Sequence, residues 1–512
     1  MEDDKKILED KGFNLQGQVV FENYSGPDWT NKTMDILLQR ARIMCSDEVE
    51  LYFAGVDVTS VHLYNPRIEL EALHTILSFL DKALCSGYHT INGILHALRE
   101  LSIKMIQELG DKIRLETIIV TNYSCDKERH LLQWGKSKGV RSKLEVAYVE
   151  GAGRGAIATE DLKVGDIALE IPVSAIISEE LVHESDMFPI LEKIDGISLE
   201  TMMLLWSMKE KHNPDSKFKL YFDALPEVFN TGLSFGVNAI MALDGTLLLE
   251  ETVQAKEHLR TQYDELFPAL CNDHPGIFPT ELYTWDQFLW ACELWYSNGM
   301  KVMFTNGKLQ TCLVPIAGFL NHSLCPHILH YGKVDSATNS LRFPLSRPCN
   351  AGEQCYLSYG KFSSSHLVTF YGFLPQGENP YDVMPLGNSL ALLPFLHMHL
   401  CKSEGLDNLD FCSRHVEVGD SLQNTPNIMA CVQLGLAFRE NFETELEILE
   451  ALRSTFEDML ETLGETDLDD RSTSWDVKLA VKFKDQQRRI VSSIVTSCYY
   501  GCKLLEDELL KK

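Results

Sequence analysis

Residues 314–323 read VPIAGFLNHS, residues 352–360 read GEQCYLSYG, and the tripeptide Tyr371-Gly-Phe373 follows shortly after. The first stretch carries no polar side chain until it reaches Asn321 and His322. Strand-type patterns dominate from about Thr311 to Phe373. An amide, an imidazole and three tyrosines therefore lie in a strand-rich part of the chain. They are the first candidates for a functional site.

A glycine-rich run, GAGRG at residues 151–155, lies upstream between strand patterns at 144–149 and 167–171. Taken alone, these glycines indicate a tight turn, and the functional alternative is close approach of the main chain to a ligand. A dinucleotide-binding loop is excluded because no helix follows to receive a pyrophosphate. The run HLLQWGKS at 130–137 is no P-loop either, since His130 stands where that loop needs glycine.

The hydrophobic periodicity divides the chain into three parts. Residues 1–125 are predicted to be mostly helical, with two packed helices separated at Ser86-Gly87, and their role is not apparent from the sequence. Residues 126–375 form a β domain with a helical insertion at about 179–297. Residues 376–512 are predicted to be helical. The interrupted β domain is the unusual feature of this organisation.

The glycine-rich run, Asn321-His322, the GEQCYLSYG segment and Tyr371-Gly-Phe373, in this order, resemble the motifs of SET-domain methyltransferases. The insertion, with residues 218–226 reading FKLYFDALP, makes the chain similar to the branch that contains Rubisco large-subunit lysine methyltransferase and actin-histidine methyltransferase. The similarity covers about residues 126–505. It implies an α+β fold, namely a SET-domain β fold with a helical insertion followed by an all-helical C-terminal substrate-binding domain.

The same resemblance implies S-adenosyl-L-methionine as cofactor and a protein as substrate. Tyr359 would lie at the reaction centre and Tyr371 would shape the pocket, and these two are the candidate catalytic residues. A flat apolar ring at Phe373 suits stacking on adenine. The implied cofactor-binding residues are Gly153, Arg154 and Gly155 for the methionine part, Glu170 for a polar group, Asn321 and His322 for the purine, and Tyr359 and Phe373.

Two positions depart from the family pattern. The insertion usually ends in Ser-Arg where this chain has Ser297-Asn298, and an Ala-Asp pair is replaced by Ala317-Gly318. Loss of both charges is coherent, because either one alone would be left unpaired. The resemblance as a whole implies a protein-lysine N-methyltransferase acting on a non-histone protein, whereas these two departures leave room for a weakened or absent activity. The alternatives are a weakly active or inactive SET-fold interaction protein and a protein-histidine methyltransferase.

Composition limits the other possibilities. The chain has 46 basic and 74 acidic residues in 512, a net charge of −28, which disfavours direct nucleic-acid binding. This acidity would attract a basic protein substrate, and the alternative, which explains the larger part of it, is that it maintains solubility. Apolar runs are too short for a membrane span, and the acidic start of the chain predicts a cytoplasmic or nuclear protein. The spacing of Cys325, His327 and His330 offers no fourth metal ligand, so we predict no metal site.

Overall fold

The computed structural model describes residues 27–46, 65–86, 92–377, 379–385, 417–419, 442–465 and 474–510. Its N-terminal part contains helices α1 (Pro27–Cys45), α2 (Pro66–Cys85) and α3 (Asn92–Lys112). Asn65 starts α2 by accepting the backbone N–H of Arg67 at 3.0 Å, and Pro66 occupies the first turn, where its missing N–H costs nothing. The two helices predicted on either side of the Ser86-Gly87 break are confirmed as α2 and α3.

The β region follows helix α4 (Asp126–Ser137) and consists of small antiparallel sheets. The strand bounds are β1 Arg141–Ser142, β2 Leu144–Val149, β3 Gly153–Ala158, β4 Ile167–Pro172, β5 Gly299–Met303, β6 Leu309–Leu313, β7 Val334–Asp335 and β8 Ser340–Pro344. The largest sheet has the strand order β1–β4–β8–β7, and β2 pairs with β3 while β5 pairs with β6.

Helices and short 3-10 turns occupy the chain between β4 and β5, where the sequence predicts the insertion. Thr284 caps the last of these helices by accepting the N–H of Gln287, and that helix ends at Asn298. The bounds are α5 Glu180–His183, α6 Phe188–Leu191, α7 Leu199–His212, α8 Lys219–Ala224, α9 Val237–Ala242, α10 Leu247–Asp273 and α11 Trp285–Asn298.

Beyond the β region the described residues form helices α12 (Ser364–Tyr371), α13 (Phe442–Leu463) and α14 (Trp475–Leu509). The C-terminal part is not helical throughout, because β9 (Val383–Pro385) pairs with β10 (Glu417–Gly419) in a short antiparallel ribbon. Among the described residues, no helix combines the length and apolarity needed to cross a bilayer. Residues 386–416, 420–441 and 466–473, which belong to the predicted C-terminal domain, lie outside the described residues.

Separate apolar cores join these parts. The largest runs from α4 through the β region into the insertion. A second core belongs to α1, α2 and α3 but also includes Cys325 and Leu329 from the β region. A third lies between α13 and α14, and a fourth joins the insertion to Val368 of α12 and Phe483 of α14. Both flanking helical parts are therefore packed against the middle of the molecule.

Candidate functional site

A cavity of about 630 Å³ opens where the β region, the insertion and the N-terminal helices meet. Small-molecule sites are typically about 300–1,000 Å³, so its size suits a nucleotide-like ligand. Of the sequence-predicted residues, those that line it are Arg154, Asn321, His322, Tyr359, Tyr371 and Phe373. Residues separated by more than 200 positions in the sequence are thus brought to one wall.

Tyr359 and Tyr371 form a stacked pair in this wall. Their ring centroids are 5.0 Å apart with planes inclined by 26°, and the Tyr359 hydroxyl donates to the Leu320 carbonyl oxygen at 3.0 Å. Burial raises the pKa of Tyr371 to about 12 and also raises the pKa of Tyr359. Both phenols therefore stay protonated near neutral pH. They can orient a substrate by hydrogen bonding but do not supply a phenolate base.

His322 lies beside this pair. Its Nδ1 accepts the backbone N–H of Tyr359 at 3.1 Å, whereas its buried Nε2 has no hydrogen-bond partner in the described part of the chain. Burial, followed by the charge of Arg67, lowers the pKa of His322 to about 4. The ring is therefore neutral at pH 7 and carries its proton on Nε2, for which the described residues provide no acceptor.

Asn321 lines the cavity, and its side-chain amide is held by two hydrogen bonds within the protein. Its Nδ2 donates to the backbone oxygen of Arg154 at 3.0 Å and to Gln354 Oε1 at 2.6 Å. Its backbone oxygen accepts from Leu357 at 2.8 Å. The amide thus ties strand β3 to the segment that carries Tyr359, which is a positioning role.

The glycine-rich run forms the turn between β2 and β3. Gly151 and Gly153 have φ of 73° and 69°, and an added Cβ at either would meet nothing within 4 Å. The backbone conformation therefore requires glycine there, as the tight-turn interpretation predicts. Gly155 differs, because a Cβ would overlap the carboxamide of Gln354. Gly151, but neither Gly153 nor Gly155, lines the cavity.

Arg154 lies between these glycines and faces the cavity. Its Nη1 donates to Glu128 Oε1 at 3.0 Å and to the Ala224 carbonyl oxygen, and its guanidinium lies 5.5 Å from the centroid of Phe319. Glu128 is only 4% exposed, so the ion pair is shielded from water. The sequence analysis missed Glu128, and no local pattern marks it as the partner of Arg154.

Glu170 is a correction to the predicted site. It is paired across the sheet with Arg342, whose Nε donates to Oε1 at 3.0 Å, and Arg141 Nη1 lies 3.5 Å from Oε2. Glu170 does not line the cavity. Its carboxylate is occupied by cross-strand pairs, because each of these arginines stands opposite Glu170 in the sheet register.

Asn298 and Gly318, the two positions that depart from the family pattern, face one another. A Cβ added at Gly318 would lie 2.9 Å from Asn298 Oδ1. Both residues line the large cavity, and both also line a second, narrow cavity of about 30 Å³. Tyr359 and Tyr371 also border both cavities. The narrow one is lined by Ser297, Asn298, Gly299, Met300, Gly318, Leu320, Tyr331, Leu357, Tyr359 and Tyr371.

Gly372 connects the tyrosine pair to Phe373. It ends α12 in the left-handed conformation with φ of 76°, and an added Cβ would overlap the backbone oxygen of Asn230. The Phe373 ring then lies 6.3 Å from Tyr359 and 6.2 Å from His322, between centroids. An aromatic surface and an unpaired imidazole N–H therefore lie near one another.

The side chains of Cys325, His327 and His330 do not come together at one point but contact three different partners. Cys325 donates to the Pro66 carbonyl oxygen at 3.7 Å, His327 Nδ1 accepts the N–H of Tyr356, and His330 lies 5.2 Å from His74. Across the described residues, the group with metal-ligand geometry is His327 with Cys349 and Cys355, all buried. Hydrogen bonding to Cys349 and burial raise the pKa of Cys355 in the metal-free protein, so this thiol is protonated there.

No protein-family model matches the chain. In sequence it is 26% identical over 312 residues to the Rubisco large subunit N-methyltransferase of Pisum sativum, covering 57% of this chain and 60% of that protein. It is 27% identical over 255 residues to the fructose-bisphosphate aldolase-lysine N-methyltransferase of Arabidopsis thaliana, covering 48% of this chain and 52% of that protein. It is 23% identical over 283 residues to the actin-histidine N-methyltransferase of Gallus gallus, covering 52% of this chain and 46% of that protein.

The chain thus spans between about half and three fifths of the length of these relatives. In structure it is similar to the SET domain of LSMT bound to lysine and AdoHcy, with a TM-score of 0.55 and 18% identity over 74% of this chain and 92% of that chain. Rubisco LSMT bound to AdoMet gives a TM-score of 0.53 and 19% identity over 75% of this chain and 94% of that chain. The protein therefore has a SET-domain fold and is a sequence relative of the Rubisco LSMT-like and actin-histidine methyltransferases.

Proposed function

We propose that this protein is an S-adenosylmethionine-dependent protein N-methyltransferase and that its acceptor is a lysine of a non-histone protein. The observation that carries the proposal is the junction of the two cavities at the stacked pair Tyr359 and Tyr371. A methyltransferase must hold a cofactor and an acceptor side chain on either side of one reaction centre. The large cavity suits the first role and the narrow cavity suits the second.

The residues present fit the proposed cofactor. The ring of Phe373 offers an apolar surface for adenine, and the unpaired Nε2–H of His322 offers a donor to a purine nitrogen. The turn at Gly151 brings main-chain groups to the same wall. When bound, S-adenosylmethionine supplies an electrophilic methyl group that an uncharged amine can accept.

The chain's own contribution is to orient the acceptor. Lysine has an ordinary pKa of about 10.4 and must lose its proton before it presents a lone pair. A cavity lined by Met300, Leu320 and Leu357 disfavours the ammonium form, because burial stabilises the neutral amine. The protonated hydroxyls of Tyr359 and Tyr371 can then direct the lone pair. The proton lost by the ammonium passes to water, because neither phenol is a base near neutral pH.

Lysine is favoured over histidine by the shape of the narrow cavity. A volume of about 30 Å³ has room for a terminal amine or one water molecule, which are both smaller than an imidazole ring. Asn298 supports histidine as the second candidate, since an uncharged amide in this wall could pair with an imidazole nitrogen.

The alternative of an inactive interaction protein rests on the missing charges at Asn298 and Gly318. Calorimetric titration with S-adenosylmethionine separates it from an enzyme, since a bare scaffold has no need of the cofactor. Incubation of cell extract with isotopically labelled cofactor, followed by digestion and mass spectrometry, then identifies the modified residue. We expect labelled lysine, and the Tyr359→Phe variant is the matched control. Label on histidine would move the proposal to the second candidate, and absence of cofactor binding would contradict it.

A further inference from the structure

The sequence suggests no role for the N-terminal helices, but the start of α2 and the segment after α3 lie at the cavity. Asn65 and Pro66, at the start of α2, line it together with Ile113 and Leu115, which follow α3. The Cys325 thiol donates to the Pro66 carbonyl oxygen at 3.7 Å, so the first turn of α2 is attached to the segment behind His322. One wall of the cavity is therefore built by a part of the chain outside the β domain.

Arg67, in that first turn, reaches the reaction centre. Its Nη1 donates to the Ser358 hydroxyl and to the Gly360 carbonyl oxygen, the latter at 3.3 Å. These two residues flank Tyr359. The Nε of Arg67 donates to Glu71 Oε1 at 2.8 Å, one helical turn further along α2. The side chain is 12% exposed, so the guanidinium is held between its own helix and the motif.

The segment that Arg67 contacts is fixed on its other sides by groups of the β region. Tyr331 donates its hydroxyl to the backbone oxygen of Ser358 at 2.9 Å, and the N–H of Tyr359 is donated to His322 Nδ1 at 3.1 Å. Arg67 is the group from the N-terminal helices that completes this set. A fork of N–H donors fixes both distance and direction, which a single point charge does not.

The packing beneath Arg67 makes this contact stable. The apolar core of α1, α2 and α3 includes Cys325 and Leu329, so the helices do not form an independent bundle resting on the surface. His74 of α2 also lies 5.2 Å from His330, between ring centroids. The position of α2 relative to Tyr359 is therefore set by a shared core.

We propose that Arg67 is a positioning residue for the reaction centre, and that the N-terminal helices are a structural part of the active site. The inference rests on the proposed function and deepens it. Arg67 acts through Ser358 and Gly360 to place the Tyr359 hydroxyl between the two cavities. A displacement of about 1 Å at a reaction centre can lower turnover about 100-fold.

The test uses the full-length protein with three variants. Arg67→Gln removes the charge and the fork, Arg67→Lys keeps the charge, and Arg99→Gln is the matched control within the same helical layer. Arg99 pairs with Asp81 at 2.6 Å, and both side chains are more than a third exposed. We expect kcat to fall about 10- to 100-fold in Arg67→Gln, with the KM for cofactor changed less than about 3-fold. Arg67→Lys should recover part of kcat, and Arg99→Gln should retain it.

Hydrogen exchange of a peptide covering residues 356–362 provides a second readout that needs no activity. Faster exchange in Arg67→Gln than in the wild type and Arg99→Gln would support the proposal. A variant that loses melting temperature but keeps wild-type kcat per folded molecule and wild-type exchange in this peptide would overturn it. If the wild type transfers no methyl group, the proposed function fails, and the exchange measurement alone decides the role of Arg67.

Discussion

The two helical parts that flank the β region each hold one member of the tyrosine pair, and they do so by different means. On the N-terminal side, a partly exposed cation, Arg67, contacts both residues next to Tyr359. On the C-terminal side, Gln486 of α14 donates to Asp382 Oδ2 at 2.6 Å and to the Ser364 hydroxyl at 3.1 Å. Ser364 begins the helix that ends in Tyr371.

The distance from the tyrosine decides what each contact controls. Arg67 contacts the two residues beside Tyr359, so under the proposed function its loss should change the geometry of the reaction centre. The buried group around Asp382, with Ser364, Asn379 and Gln486, docks the far end of helix α12. Its loss should chiefly lower stability, because a buried carboxylate deprived of donors pays its full desolvation cost. One side therefore governs geometry and the other governs docking.

The largest expected effect comes from removing the hydroxyl of Tyr359, the tyrosine next to which Arg67 binds. Tyr359→Phe should lower kcat about 100-fold, equivalent to about 2.7 kcal/mol in activation free energy, because the proposed function places the phenol at the reaction centre. Cofactor affinity should change by less than about 3-fold, since Phe373 and His322 are untouched. Steady-state kinetics and calorimetry measure the two quantities.

Tyr371→Phe is the matched control for that prediction. We expect a smaller loss of turnover, below about 10-fold, and a changed distribution of methylation states in the product. Equal activity of Tyr359→Phe and wild type would remove Tyr359 from the reaction centre and, with it, the contrast between the two sides.

The second prediction addresses the C-terminal side. Gln486→Leu should lower the free energy of unfolding by about 2 kcal/mol, because Asp382 is 2% exposed and loses a donor. The turnover of the folded fraction should fall less than in Arg67→Gln. Urea denaturation measures the first effect, and Gln487→Leu is the neighbouring control, since Gln487 is half-buried and lies outside this network. Equal losses in both variants would show that the network does not dock α12.

The third prediction is that acid affects the two sides in opposite directions. Burial, with His330, lowers the pKa of His74 to about 4, and burial lowers the pKa of His322 to about 4. Between pH 6.5 and 4 the unfolded chain binds protons that the native state does not, so the free energy of unfolding decreases as the pH falls. Each of the two histidines should account for a decrease of about 1–2 kcal/mol at pH 5. Burial raises the pKa of Asp382, so its contribution to stability increases as the pH falls towards its ordinary pKa.

Hydrogen exchange at pH 7 and pH 5, corrected for the intrinsic rate, distinguishes the two sides. Peptides from α2 and residues 356–362 should lose protection at pH 5, whereas peptides from α12 should keep or gain it. A uniform loss of protection in both regions would argue against this division.

The smallest expected effect concerns Asn298 and Gly318, which line both cavities. Gly318 is exposed to the cavity and Asn298 is half-buried, so a single restored charge should cost about 1–2 kcal/mol, less than full burial would cost. Asn298→Arg and Gly318→Asp together should recover about 1 kcal/mol, because the positions face one another. Melting curves and cofactor titrations on the four proteins measure this coupling. Strictly additive losses would show that the two side chains do not meet.

The sequence was a good guide to the site where a motif is contiguous. Asn321-His322, Tyr359 and Tyr371-Gly-Phe373 lie on one cavity wall, because each stretch is an element of a fold whose similarity to the LSMT SET domain is confirmed. The roles predicted for these residues in binding and catalysis remain predictions, and so do the three domain boundaries and the subcellular location.

The sequence failed where partners are distant. Arg67 and Ser358 are separated by 291 positions, and no spacing or periodicity connects them. Glu170 was misassigned because the strand pattern does not reveal which residue stands opposite, and here Arg342 does. Tertiary pairing, which local patterns do not encode, decides these cases.

The left-handed joint at Gly372 has a consequence for directed evolution of acceptor specificity. Any side chain at Gly372 would overlap the Asn230 carbonyl oxygen. Substitution at this position therefore cannot be used to adjust the relative placement of Tyr371 and Phe373. In a library that randomises residues 371–373, most variants would replace Gly372 and would be expected to misfold. Variation at Met300, Leu357 and Tyr331, which border the narrow cavity from other elements, changes its size while the joint is kept. The size of the narrow cavity can therefore be changed at Met300, Leu357 and Tyr331, whereas Gly372 must be kept.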